Sequence, residues 1–98
     1  MIQLPLDAIQ HYCQSQPIKT LSVFGSGLRD DFTDKSDIDL LVQFLPTAQI
    51  SLFDVVGIEE DLSQLIGWKI DLRTPNELSR YFREEVIQKA VLVYERPE

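Results

Sequence analysis

Scarcity frames this sequence. It has a single cysteine, Cys13, so neither an internal disulfide nor a cysteine-based zinc site is available. Its one histidine, His11, falls in a helical pattern and reads as a surface or satisfied residue rather than a ligand. Basic residues are also few: nine Lys and Arg stand against sixteen Asp and Glu, a net charge of −7. A protein that grips nucleic acid regardless of sequence needs the opposite balance, so direct, stable nucleic-acid binding is not expected. No apolar run approaches the ~18 residues of a membrane span. The opening residues MIQLPLDAIQ do not lead from a basic region into an apolar stretch. A cytoplasmic protein with no membrane attachment is the expectation.

What is present is ordinary in amount: 98 residues, 44% hydrophobic and 26% charged, enough for one domain (1–98) around one modest core. Cys13, on the apolar side of a helical pattern, reads as buried filler.

Residues 24–44, FGSGLRDDFTDKSDIDLLVQF, are less ordinary. Gly25-Ser26 opens a polar stretch that ends on Asp37-Ile38-Asp39, and Leu40-Leu41-Val42 follows at once. Ile38, Leu40 and Val42 alternate with Asp37, Asp39 and Leu41, the period of a strand. Residues two apart on a strand lie roughly 6.6 Å apart and point the same way. Asp37 and Asp39 therefore share a face, where they repel each other and invite a counter-charge. Carboxylates so placed can converge on one metal or serve two metals about 3.5–4 Å apart. Asp30, Asp31 and Asp34 read more simply as a solvated loop.

Around this stretch, residues 5–15 carry helical spacing (Leu6, Ile9, Tyr12, Cys13), with Pro5 suited to a first helical position. Residues 19–24 alternate as a first strand, 27–32 suit a helical turn, and 37–44 form the second strand, stopped by Pro46. Residues 51–66 place Leu52, Val55, Ile58, Leu62 and Leu65 in one apolar stripe, closed by Gly67. Residues 68–73 alternate Trp68, Ile70 and Leu72 with Lys69, Asp71 and Arg73, a third strand with a third carboxylate. Thr74-Pro75-Asn76-Glu77 has the signature of a helix start, predicting a last helix with Leu78, Phe82, Val86 and Ala90 inward. Residues 91–94 suit a final strand or an apolar tail. Trp68 and Tyr94 read as core or edge residues, and Arg80 and Arg83 as the polar side of the last helix. The order α-β-β-α-β-α-(β) predicts an α+β fold, a small mixed sheet with helices mainly on one face.

Gly25-Ser26, ten intervening residues, Asp37-x-Asp39 and a lone Asp71 on a later strand resemble the DNA polymerase beta-type nucleotidyltransferase superfamily. Length and wording (FGS, SDIDLLV, KIDL, REEVIQKAVLVYE) are similar to its minimal nucleotidyltransferases, the MNT antitoxins. The resemblance implies a Mg²⁺-dependent transfer of AMP from ATP, with two Mg²⁺ ions, to a tyrosine hydroxyl of a cognate HEPN-type ribonuclease toxin, which is thereby neutralised. It implies that Gly25 and Ser26 hold the triphosphate, helped by Arg29. Asp37, Asp39 and Asp71 become the metal ligands and catalytic carboxylates, with Asp71 also able to take the proton of the attacking hydroxyl. Two positions depart from the pattern: Gly27 stands where relatives often carry Arg, and Asp30 where glycine is common.

Two other readings compete. A binding-only antitoxin would keep the fold and inhibit the toxin by contact alone, and a transferase could instead act on a small molecule or an RNA end. The retained carboxylates favour an enzyme over a binder. The small size and the acidic charge disfavour small-molecule and RNA substrates.

Overall fold

The computed structural model describes residues 4–25 and 37–97. Helix α1 (Leu6–Gln14) buries Ile9 and Cys13, one turn apart, and leaves His11 exposed. Strands β1 (Ile18–Phe24) and β2 (Ile38–Phe44) pair antiparallel. Helix α2 (Leu52–Ile66) then carries the chain back so that β3 (Ile70–Arg73) pairs parallel with β2. A parallel neighbour needs such a crossover, because a tight hairpin returns the chain in the wrong direction. Helix α3 (Arg83–Lys89) leads into β4 (Val91–Glu95), antiparallel to β1. The sheet order is β3-β2-β1-β4, so the predicted α+β fold with a mixed sheet is the one observed, and its last segment is a strand.

The core explains why the strands sit as they do. Leu21 and Val23 of β1, Ile38, Leu40 and Val42 of β2, and Ile70 and Leu72 of β3 pack with Ile9 and Cys13 of α1 and Ile58 and Leu62 of α2. Tyr94 of β4 joins them, and Trp68 packs at the margin. Period-two alternation then turns Phe24, Asp39, Leu41, Asp71 and Arg73 to the other face of the sheet. Burial of the apolar face thus fixes the direction of the carboxylates.

Local chemistry secures the ends. The Ser51 hydroxyl accepts from the Asp54 amide, and the Asp54 carboxylate accepts from the Ser51 amide at 2.9 Å, a reciprocal cap on α2. Gly67 ends α2 at φ 82, where a side chain would be strained. The edge strand β3 is covered by the same helix: the Ile70 amide donates to the Ser63 hydroxyl (3.1 Å) and the Leu72 amide to the Glu59 carboxylate (2.8 Å). Those bonds occupy groups that would otherwise invite another strand. Arg96, beyond β4, donates to the carbonyls of Ile18 (2.9 Å), Cys13 (3.2 Å) and Gln16, fastening the end of the chain to the α1–β1 turn.

Four expectations fail. Residues 74–77 make only one 3₁₀ turn, Pro75–Glu77. The Thr74 hydroxyl reaches the Glu77 carboxylate (3.4 Å) and caps no amide, and the backbone is extended at Leu78 (ψ 146). The last helix starts only at Arg83, and Phe82, expected inward, is 50% exposed at its N-cap. Leu52 is 77% exposed, because it occupies the first position of α2, past the end of the core. β3 begins at Ile70, leaving Trp68 and Lys69 in the approach to it. The turn expected at 27–32 and the acidic loop positions lie outside the described residues.

Candidate active site

Three neighbouring strands contribute one row of residues. Phe24 at the end of β1 lies opposite Asp39 on β2, and Asp39 lies opposite Asp71 on β3. Adjacent strands are about 4.8 Å apart, so Asp39 and Asp71 project side by side from the face opposite α1 and α2. Asp37 immediately precedes β2, and the Ile38 amide next to it donates to the Lys69 carbonyl at 2.9 Å, tying the start of β2 to the approach of β3.

Gly25 completes the row from the β1 side. Its φ is 63, a left-handed conformation, and a Cβ placed there would lie 3.2 Å from Cγ of Asp39 and collide with the carboxylate. Backbone and carboxylate therefore meet where only glycine fits. Ser26 and Arg29, expected at the phosphates, lie outside the described residues.

Cations already attend the carboxylates. Arg73 is ion-paired with Asp71: Nη2 donates to Oδ2 at 3.3 Å and Nε lies 3.1 Å from Oδ1, while Nη1 is 3.5 Å from Glu77. The Asp71 charge holds the Arg73 guanidinium protonated beyond its usual range. Lys69 Nζ is 3.9 Å from Asp37. These pairs are solvent-exposed, so each contributes at most about 1 kcal/mol. Lys69 and Arg73 were visible in the alternation of residues 69–73, but their partners depend on the β2–β3 pairing.

The structure thus brings Gly25, Asp39 and Asp71 together. Among the described residues, no three acidic, histidine or cysteine side chains gather as a ready metal cluster. The donor set nonetheless suits Mg²⁺, which prefers carboxylate oxygens such as these on a rigid sheet. Arg73 and Lys69 are the charges such a cation would displace.

An open cavity of about 600 Å³ is lined by Val42, Phe44, Leu52 and Pro75 at the far end of β2 from the carboxylates. Size is a poor guide here, because that cavity has none of the converging charge that chemistry needs. A second cavity, about 420 Å³, borders Gly25 and α3.

Residues 7–98 match the family described as polymerase beta, nucleotidyltransferase. The chain belongs to this nucleotidyltransferase family. It is 32% identical over 76 residues to the protein adenylyltransferase MntA of Thermococcus cleftensis, covering 78% of this chain and 75% of that one. A solved structure described provisionally as a minimal nucleotidyltransferase superposes with a TM-score of 0.72 at 29% identity, over 88% of this chain and 86% of the other. A chain of the toxin-antitoxin MntA-HepT superposes with a TM-score of 0.65, over 93% of this chain and 70% of that one. At 14% identity, that last likeness is one of fold. For a nucleotidyltransferase, a carboxylate row beside a glycine turn is chemically apt: both the attacking and the leaving oxygens of a phosphoryl group need their charge offset.

Proposed function

We propose that this nucleotidyltransferase is an antitoxin that transfers AMP from ATP to a tyrosine hydroxyl of a cognate HEPN-type ribonuclease toxin and so silences it. The observation that carries the reading is the row in which Gly25 abuts Asp39 and Asp39 stands beside Asp71. Two like charges on adjacent strands weaken a sheet, and bound divalent cations would give them a use. The MntA relative, an adenylyltransferase by name, supports the choice of AMP as the transferred group. The MntA-HepT fold match supports a toxin as the partner.

In this account Gly25 and Ser26 receive the triphosphate, with Arg29 offsetting its charge. Asp37, Asp39 and Asp71 would hold two Mg²⁺ ions, whose charge would offset that of the α-phosphate and the departing pyrophosphate. The acceptor oxygen attacks the α-phosphorus, the bond to pyrophosphate breaks, and the phenolic proton passes to a carboxylate oxygen of Asp71. Alignment of attacker and leaving group supplies much of the acceleration. The partner presents the hydroxyl by docking beside the carboxylate row.

A contact-only antitoxin is the second reading. The Arg73–Asp71 pair favours it, since the third carboxylate is neutralised by the protein's own cation. One experiment separates the two: incubate the chain with ATP, Mg²⁺ and its cognate toxin, then weigh the toxin. Gain of one AMP supports transfer, and inhibition at unchanged mass supports contact alone.

A further inference from the structure

We infer that the outward face of helix α2, from Leu52 to Glu60, is a docking surface for a basic, amphipathic helix of the protein partner. For the identity of that partner, the toxin, this rests on the function proposed above.

The face is apolar where nothing inside the chain asks for it. Phe53 is 89% exposed, and Leu52 and Val56 stand open beside it. Spacings of three and four residues put Phe53, Val56, Gly57 and Glu60 on one stripe, opposite the buried Ile58 and Leu62. Leu52 also lines the cavity of about 600 Å³ with Phe44, Val55 and Pro75, a recess that can take an apolar anchor. Gly57 adds an independent reason. It sits mid-helix, where glycine is less stable than alanine, and a Cβ there would meet nothing within 4 Å. Packing within the chain therefore gives no reason for it. A second backbone crossing α2 does, since a residue without a side chain permits close approach.

Charge selects the kind of helix. α2 carries Asp54, Glu59, Glu60 and Asp61 and has no lysine or arginine. A second copy would set these acids against its own, whereas a basic helix is drawn to them. The apolar side chains near α3 and β4 compete less well: Ile87, Val91 and Leu92 are less exposed, and Tyr81 stacks with Arg80. α2 begins at the far end of β2 from the carboxylates, about 20 Å away along the strand. A domain-sized partner gripped there leaves the row open to its hydroxyl.

The test measures affinity for the cognate toxin by calorimetry without ATP. Phe53→Ala should weaken binding by roughly 30-fold or more, the loss of an aromatic anchor, and leave ATP affinity unchanged. Gly57→Gln should raise Tm by a few degrees yet weaken binding, so that lost affinity cannot be lost folding. Wild-type affinity should fall as salt rises, and less steeply in Glu60→Lys. Unchanged affinity in Phe53→Ala and Gly57→Gln overturns the inference and leaves the transferase reading standing. A wild type that is a dimer, dissolved by Phe53→Ala, assigns the face to a second copy and overturns it too. A wild type with no affinity for the toxin overturns both.

Discussion

Asp39 and Asp71 occupy the same rung of the parallel β2–β3 pair, two carboxylates held side by side by the burial of Leu40 and Leu72 on the opposite face. Nothing in the core requires acid at either position. Removing one charge should therefore spare the fold and harm the chemistry. Asp39→Asn is expected to change stability by no more than about 1 kcal/mol, the scale of a cross-strand pair. It should abolish transfer to the toxin. Urea denaturation and an AMP-transfer assay check the two halves, and near-normal transfer would remove Asp39 from the site.

Gly25 meets the same carboxylate from the other side. Gly25→Ala introduces a Cβ at φ 63 and costs about 1–2 kcal/mol in backbone strain before the clash with Asp39 is counted. Thermal unfolding should show the loss, and ATP affinity should fall further than for Ser26→Ala. The serine change removes one hydrogen bond to a charged group, worth about 1.5–3 kcal/mol. Equal ATP affinities for wild type and Gly25→Ala would contradict this placement.

The alternation of Ile38, Leu40 and Val42 with acid was enough to read β2 and the direction of its carboxylates, because a one-sided core imposes period two. Gly67 likewise marked the end of α2. What sequence left dark is non-local. That Phe24, Asp39 and Asp71 share a row depends on pairings between segments far apart in the chain. The hold of Arg96 on three carbonyls near α1 spans 78 to 83 residues and leaves no local trace. The last helix misled for the opposite reason. Thr74, Pro75 and Glu77 have the composition of a helix start, but the chain extends at Leu78 and defers the helix to Arg83.

Arg73 competes with any cation for Asp71. Arg73→Ala should change stability by less than about 1 kcal/mol, because the pair is exposed. It should also tighten Mg²⁺ binding, since the metal no longer displaces a guanidinium. Calorimetric titration with Mg²⁺ decides; weaker binding would mean that Arg73 supports the site and does not compete with it.

Burial pushes the Cys13 thiol up to about 11, partly offset by Arg96. The folded chain keeps its thiol proton where the unfolded chain releases it. The stabilisation from this group is complete below the unfolded value, near 9, and is lost as pH rises to about 11. Burial and the bond to Asp61 raise the Tyr12 hydroxyl as well, which acts in the same direction. Stability should fall through that alkaline window, and less steeply in Cys13→Ala. A native thiol that reacts with a maleimide at neutral pH as fast as a free peptide thiol would contradict its burial.

The central claim is that the carboxylate row performs transfer, and Asp71 tests it most directly. Asp71→Asn keeps the shape of the site and the partner surface but removes a ligand charge and the proton acceptor, a loss of about 10²–10⁴-fold for the proton transfer alone. The measurement is the intact mass of the co-expressed toxin, purified with wild type and with Asp71→Asn. The account predicts that both chains co-purify with the toxin, that wild type adds AMP to it, and that Asp71→Asn leaves its mass unchanged and its host cells unprotected. Full protection by Asp71→Asn with an unmodified toxin would contradict the account and make this nucleotidyltransferase an inhibitor by contact.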